Sequence, residues 1–260
     1  MFRELLFSLG IYKIYNLWLK RQIDLELIPK HIGVILDGNR RWATSHNMVS
    51  WEGYYHGAKI VSDFLKWCLD LGIHTVTLYA FSTENFNRPE NEVNELMKIY
   101  EENLVKTMNS NIIHDYKVRI SVMGRTTLLN ENLQKLIEEA KEATKDYDRY
   151  FLNLALAYGG RAEIVDATKR IAQKVQNGEL KPEEINESHI DENLYTAHLP
   201  QPDPDLIIRS SGESRLSNFL IWQSAYSEFF LVDVFWPEFR EIDLLRVLRS
   251  YQQRNRRYGK

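Results

Sequence analysis

The stretch His31-Ile32-Gly33-Val34-Ile35-Leu36-Asp37-Gly38-Asn39-Arg40-Arg41-Trp42-Ala43 decides how the rest of this chain is read. An apolar run of strand length stops at an aspartate, a glycine, an asparagine and two arginines. An α/β protein ends a buried strand in this way and opens a site at its carboxyl edge. Gly38 lets the backbone approach a ligand closely, the following N–H groups can face an anion, and two guanidiniums can grip phosphate oxygens. Asp37 is the odd member, because a carboxylate among phosphate binders repels the ligand. A divalent cation between them removes the conflict. Taken alone, the segment fits a Mg²⁺-dependent diphosphate site. It fits equally an ordinary strand followed by an Asp-Gly turn with its arginines in solvent.

The rest of the chain has to separate these readings. It has 260 residues, one cysteine and a formal net charge of −3. A single fold of that length buries roughly three quarters of its unfolded surface, enough for a core without staples. Cys68 has no partner for an internal disulfide, which suits a reducing, cytoplasmic setting. The small negative charge exerts no global pull toward nucleic acid, so any anion binding must be local. No segment approaches the ~18 uncharged apolar residues of a membrane span.

The N-terminus is nonetheless unusual. Phe2, Leu5, Leu6, Leu9, Tyr12, Ile14, Leu17 and Trp18 recur at helical spacing, with Lys13, Lys20 and Arg21 beside them. This predicts an amphipathic helix within residues 1–27. It lies peripherally on a membrane surface, or packs on its own domain or a partner. Arg3 and Glu4 precede no continuous apolar core and no small-residue cleavage site follows, which speaks against a signal peptide.

After Pro29 the pattern alternates between short β-rich runs and longer helical periodicity. Strands are expected at Ile32–Asp37, Thr75–Phe81, Val118–Met123, Phe151–Ala157, Leu206–Arg209 and Phe229–Val234. Helices are expected at Gly57–Leu71, Glu92–Met108, Leu128–Lys145, Ala162–Gln176 and from about Ile242 to Arg254. Such alternation predicts one α/β domain over residues 28–260, with a mostly parallel sheet of about six strands and helices on both faces. Functional groups of a parallel sheet gather just after its strand ends, and here they do. Strand one ends in Asp37-Gly38-Asn39-Arg40-Arg41 and strand two in Ser82-Thr83-Glu84-Asn85-Phe86-Asn87-Arg88-Pro89. The fourth ends in Tyr158-Gly159-Gly160-Arg161, and the fifth in Arg209-Ser210-Ser211-Gly212-Glu213-Ser214-Arg215-Leu216-Ser217-Asn218. Arginine, hydroxyl and amide side chains at four strand ends favour the anion site over turn chemistry.

With these strings, over about residues 28–259, the chain resembles the cis-prenyltransferases, the undecaprenyl and dehydrodolichyl diphosphate synthase family. The Asn39-Arg40-Arg41 and Arg-Ser-Ser-Gly-Glu forms look more like its archaeal and eukaryotic branch. The resemblance implies a parallel-sheet domain enclosing a hydrophobic tunnel, walled by the sheet and the helices around Gly57–Leu71 and Glu92–Met108. It also implies a condensation of isopentenyl diphosphate with an allylic diphosphate that forms a cis double bond and repeats to a long polyprenyl chain. Geranylgeranyl diphosphate is the favoured primer and farnesyl diphosphate the next.

By the same resemblance Asp37 holds Mg²⁺ at the allylic diphosphate, which Gly38, Asn39, Arg40 and Arg41 wrap, with Trp42 and Arg88 in the same site. Ser82, Thr83, Glu84 and Phe86 belong to the matching stretch around it, and Asn85 is placed at the condensation and proton-loss step. An amide is no base, so Asn85 reads as an orienter. Arg209, Arg215, Leu216 and Ser217 match the isopentenyl diphosphate pocket, where two arginines suit a spread of oxygens. Glu228 matches a second metal carboxylate. Arg256-Arg257-Tyr258-Gly259 resembles the closing motif that reaches a partner subunit's pocket, and its presence beside Asp37 in one chain implies a catalytic homodimer.

The chain also departs from the family pattern. Tyr54 stands where a histidine often follows Gly53, and His56 lies two positions on, so their side chains cannot point the same way on a helix. Ser214 replaces a metal-linked histidine of bacterial members, leaving an oxygen-only metal site that suits Mg²⁺. Ser50 stands in place of an arginine. Paired Asp-Asp-x-x-Asp motifs, a Walker loop and a Gly-x-Gly-x-x-Gly fingerprint are absent. Two other readings use the same residues, a non-catalytic stabilising subunit and a phosphate-ester hydrolase. The first of these has no need to keep Asp37 and the arginines.

Overall fold

Six short segments rich in β-branched and aromatic residues form the sheet of the computed structural model, which describes residues 11–254. They are β1 (His31–Ile35), β2 (Thr75–Tyr79), β3 (Val118–Met123), β4 (Tyr150–Ala155), β5 (Leu206–Ser210) and β6 (Glu228–Val232). The order is β3-β4-β2-β1-β5-β6 and every neighbouring pair is parallel. Chain direction across the sheet reverses about β1, since β2 adds on one side and β5 on the other. Ligands of open parallel sheets bind at such a reversal, beyond the carboxyl ends of the strands. β1 and the Asp37–Arg41 turn that follows it therefore sit at the centre of the sheet.

Side chains alternate across the strands as the two-residue period requires. Ile32, Val34, Val76, Leu78, Ile208 and Leu152 face the larger core, together with Phe64, Leu65, Cys68, Leu96 and Ile99. Ile35, Tyr79, Ala155 and Ile207 face a smaller cluster completed by Tyr158, Phe219 and Leu220.

Nine helices occur among the described residues: α1 (Ile11–Gln22), α2 (Asn39–Ser45), α3 (Glu52–Asp70), α4 (Glu90–Met108), α5 (Asn111–Asp115), α6 (Glu131–Ala143), α7 (Gly160–Gln176), α8 (Glu187–Asp191) and α9 (Glu241–Gln252). The short α2 was not expected from the sequence, and α3 starts five residues before the predicted Gly57. Two glycines and bulky aromatics make Gly53–Gly57 a poor helix by propensity, but packing overrides it. A Cβ on Gly53 would lie 2.0 Å from the Asn39 carbonyl oxygen, and one on Gly57 would lie 2.2 Å from Asn39 Oδ1. The missing side chains let α2 and α3 touch.

The described part of the N-terminal helix docks on its own domain. Leu19 and Ile23 enter the larger core. Asn16 Nδ2 donates to Glu241 at 2.8 Å and Lys20 pairs with the same carboxylate at 2.6 Å, fixing α1 on α9. Ile14 and Leu17 stay exposed on the outer face. Phe2, Leu5, Leu6 and Leu9 lie outside the described residues, as does the Arg256–Gly259 motif.

His31 begins β1 fully buried, its Nδ1 donating to the Gln201 carbonyl at 3.0 Å and its Nε2 accepting from the Thr77 hydroxyl at 2.7 Å. Burial lowers its pKa from 6.5 to about 4. As pH falls from 6.5 toward 4 the unfolded chain takes up a proton that the folded chain refuses. Stability is therefore lost across that window, by up to about 3 kcal/mol. Denaturant titrations at pH 7 and pH 4.5 measure the loss, and His31→Gln, which cannot titrate, is expected to shrink the difference between them.

Candidate active site

The carboxyl ends of β1, β2 and β5 converge on a polar cavity of about 860 Å³. At its floor Asp37 Oδ2 accepts from Arg209 Nη2 at 2.7 Å and Nε at 3.2 Å, while Oδ1 accepts the Gly38 N–H at 2.7 Å. The Asp37 backbone is held as firmly: its N–H donates to the Ser210 hydroxyl at 2.9 Å, and that hydroxyl donates to the Asp37 carbonyl at 2.7 Å. The Trp236 N–H donates to the same carbonyl at 3.0 Å, so the turn after β6 backs the site. Burial opposes ionisation of Asp37, but the Arg209 guanidinium outweighs it and keeps the carboxyl below its ordinary range.

Arg209 is 4 % exposed and its remaining donor is also engaged, Nη1 binding the Ser217 hydroxyl at 2.8 Å and the Arg215 carbonyl. It organises the loop that carries the next cations. Arg215 pairs with Glu213 at 2.7 Å, and Glu213 also holds Arg41 at 2.8 Å. Arg41 donates to the Ser211 hydroxyl at 2.5 Å and lies 3.4 Å from Asp37. Arg88 donates to the Tyr54 hydroxyl at 2.5 Å, and Glu92 takes both Arg88 at 3.2 Å and Arg40 at 3.4 Å. Five guanidiniums thus meet three carboxylates, leaving a formal excess of two positive charges. An arrangement of this kind binds multiply charged anions.

Most of the residues expected at the site line this cavity: Asp37, Gly38, Asn39, Arg40, Arg41, Tyr54, Ser82, Asn85, Arg88, Arg209, Arg215 and Ser217. Gly38 enters α2 with φ +100°, which a side chain rarely adopts. Asn85 Oδ1 accepts the Ser82 N–H at 3.1 Å.

Six expected residues do not reach the cavity wall, Glu228 among them. Trp42 is turned into the gap between His46 and His56, with ring centroids 4.3 and 4.6 Å away, so Tyr54 rather than His56 is the residue of that pair at the site. Phe86 packs edge-on against Phe81 at 4.9 Å, and Leu216 packs against the smaller core cluster. Thr83 and Glu84 bond to each other at 3.2 Å and face the loop after β5.

Glu228 stands apart from Asp37 within this chain. It opens β6 opposite Leu206, three register positions before Arg209, so it lies about 10 Å back along the strands from Asp37's partner. There it binds Arg254. Within one chain Glu228 is not beside Asp37, and among the described residues no group of three or more Asp, Glu, His or Cys side chains could hold a metal. Glu92 and Glu213 had no role in the sequence reading. The four-residue spacing from Arg88 to Glu92 was the only local signal, and it is common to any solvated helix start.

A second, apolar cavity of about 470 Å³ lies between the sheet, α3 and α4, lined by Leu78, Leu152, Leu154, Val61, Ile99 and Leu104 among others. Leu36, Asn39, Tyr54 and Ala80 line both cavities. Polar and apolar spaces therefore meet across one rim.

Residues 35–259 match the undecaprenyl diphosphate synthase family. The chain belongs to that family. The tritrans,polycis-undecaprenyl-diphosphate synthase (geranylgeranyl-diphosphate specific) of Methanocaldococcus jannaschii is 51 % identical over 259 residues, covering all of this chain and 92 % of the relative. The enzyme of the same name from Pyrococcus furiosus is 48 % identical, covering 96 % of this chain and 94 % of its own. The crystal structure of lavandulyl diphosphate synthase from Lavandula x intermedia, in complex with dimethylallyl diphosphate, superposes with a TM-score of 0.88 at 38 % identity, covering 90 % of this chain and 100 % of that one. Like these relatives the family member described here is a prenyltransferase, with a six-stranded parallel sheet whose helices wrap its faces.

Glu92, 3 % exposed, competes with any bound anion for Arg40 and Arg88. Glu92→Gln keeps the shape and removes the competing charge. Its expected outcome is a loss of about 1 kcal/mol in unfolding free energy, with inorganic diphosphate bound several-fold tighter in a calorimetric titration.

Proposed function

We propose that the chain condenses isopentenyl diphosphate repeatedly onto an allylic diphosphate primer, geranylgeranyl diphosphate by preference and farnesyl diphosphate next. The product is a long-chain poly-cis polyprenyl diphosphate of the undecaprenyl or dolichyl type, the precursor of a glycosyl carrier lipid. The observation that carries this reading is the rim shared by the two cavities. A cation-rich space suits a diphosphate, and the apolar space opening from it suits the hydrocarbon attached to that diphosphate. The activities of the archaeal relatives, geranylgeranyl-diphosphate-specific undecaprenyl diphosphate synthases, support the primer and the product.

In this reading Arg40, Arg41 and Arg88 grip the allylic diphosphate, and its prenyl tail enters the apolar cavity, which serves as the tunnel. Arg215 and Ser217 take the diphosphate of the second substrate, with buried Arg209 fixing their loop. As the allylic C–O bond breaks, charge grows on the leaving diphosphate, and guanidiniums already in place stabilise it without reorganisation. A new carbon–carbon bond forms to the terminal alkene carbon, C4, of isopentenyl diphosphate, positive charge develops on C3, and a proton leaves C2 to give the new double bond. Asn85, whose oxygen is engaged by the Ser82 N–H, turns its amide donor toward diphosphate and orients this step.

Asp37, an ionised and partly exposed carboxylate, would be the one protein ligand of a Mg²⁺ ion among the described residues. The remaining ligands would be diphosphate oxygens and water, as this ion prefers. When bound it supplies charge neutralisation at the leaving group.

We extend the proposal to assembly and location. β6 is an edge strand that leaves Leu231 exposed, and Tyr226 in the turn before it is exposed as well, apolar surface that a second copy would cover in a homodimer. No helix among the described residues is long and apolar enough to cross a membrane. The exposed Ile14 and Leu17 of α1, with Lys13 nearby, support peripheral contact of a cytoplasmic enzyme with the membrane that receives its product.

Incubation with radiolabelled isopentenyl diphosphate, geranylgeranyl diphosphate and Mg²⁺ is expected to yield a butanol-extractable long product. No product with either primer would refute the reading. Asp37→Asn, which preserves an acceptor for Arg209, is expected to lower turnover on the order of 10³-fold. Full turnover in that folded variant would remove the metal role.

A further inference from the structure

Three strand-end loops carry the proposed chemistry, and one side chain touches all of them. The turn after β2 runs through Ser82–Arg88 and holds Asn85. The loop after β4 is Tyr158-Gly159-Gly160-Arg161, and the loop after β5 holds Arg215 and Ser217. Asn218 Nδ2 donates to Glu84 Oε1 at 2.9 Å, and its Oδ1 accepts the Arg161 N–H at 2.9 Å. Its own carbonyl accepts the Gly160 N–H at 2.7 Å. Gly159 makes room for the amide, since a Cβ there would lie 2.7 Å from Asn218 Nδ2 and 2.9 Å from Thr83 Oγ1.

The backbone around Asn218 needs such a clamp. Ser217, Asn218 and Leu220 have φ of +49°, +66° and +43°. Asparagine tolerates the left-handed region, whereas serine and leucine occupy it only when neighbours hold them there. The Tyr79 hydroxyl donates to the Ser217 carbonyl at 3.2 Å, and the Asn218 side chain supplies the ties to the other two loops. The β2 and β4 loops are already joined by backbone, with the Thr83 N–H donating to the Tyr158 carbonyl at 3.0 Å. The Gly160 N–H ties the β5 loop to the β4 loop through the Asn218 carbonyl, and the Glu84–Asn218 bond ties it directly to the β2 turn.

We propose that Asn218 is a positioning residue that couples the two diphosphate subsites, its amide keeping the Arg215–Ser217 loop in register with the turn that carries Asn85 and Arg88. The proposal rests on the condensation reading. The two substrates bind on different loops yet must react at one point, and a misplacement of about 1 Å between reacting groups costs on the order of a hundredfold in rate. Asn218 does not touch the reacting atoms; it sets the distance between the residues that hold them.

Asn218→Asp tests this directly. It keeps the acceptor for the Arg161 N–H and replaces the donor facing Glu84 with an oxygen, so two carboxylates oppose each other at neutral pH. The expected result is a fall in kcat of about tenfold or more and a rise of several-fold in the KM for isopentenyl diphosphate. The KM for primer moves less, and the melting temperature shifts by only a few degrees. Adding Glu84→Gln restores a hydrogen bond with donor and acceptor exchanged, and the double variant is expected to recover most of the loss relative to Asn218→Asp alone.

Wild-type kinetic constants in Asn218→Asp overturn the proposal, as does a double variant no better than the single one. A lowered melting temperature with unchanged kcat and KM leaves Asn218 a purely structural residue and also overturns it. Failure of the underlying reading is distinguishable. In that case the wild-type enzyme makes no polyprenyl product and, without primer, shows no binding of isopentenyl diphosphate by calorimetry.

Discussion

The pair between Asp37 and Arg209 is the contact on which the rest of the site depends. It joins two neighbouring parallel strands at the point where chain direction across the sheet reverses, and it is partly desolvated. A lone buried guanidinium there would cost several kcal/mol, so the two residues specify each other. Arg209 then spends its last donor group on Ser217 and Arg215, which fixes the start of the β5 loop. Ser210 and Trp236 close the same turn from the backbone side. Substrate recognition is thereby built outward from a strand register. The register itself is set by the buried alternation of Ile32 and Val34 against Gly33 and Ile35.

Much of this was readable from residues alone, for identifiable reasons. Strands buried on both faces are short apolar runs, and their ends are marked by an abrupt change to polar side chains, so all six were found within one or two residues at most boundaries. Helix α2 was missed because its stability comes from contact with α3 through Gly53 and Gly57 rather than from its own pattern. The members of the charged cluster that belong to strand ends, Asp37, Arg40, Arg41, Arg88 and Arg215, were legible. Glu92 was not, because its burial depends on how α4 meets α2, a long-range fact with no local trace. Trp42 and Phe86, placed near the site by the resemblance, leave the backbone on faces that do not line the polar cavity. Glu228 lies away from Asp37 within the chain, since a parallel strand begins at the sheet edge remote from where its predecessor ends.

The same geometry explains how a polar and an apolar function share one wall. Asn39 and Tyr54 belong to α2 and α3, which interlock too closely to slide. Groups that hold charge and groups that line the apolar space therefore form one rigid element at the rim, and the hydrogen bond between Arg88 and Tyr54 continues that element to the start of α4.

The three carboxylates that accompany the five guanidiniums also make the cavity a valence filter. Each arginine already has an internal anion beside it, so a ligand competes with a tethered carboxylate at high effective concentration. A monoanion such as chloride or acetate offers nothing better than the group it would displace. A ligand that spreads several charges over two linked phosphates can engage guanidiniums from different loops at once, and the gain grows with each one captured. Selection by charge number, rather than by shape alone, keeps abundant small anions out of a pocket that would otherwise be held by them.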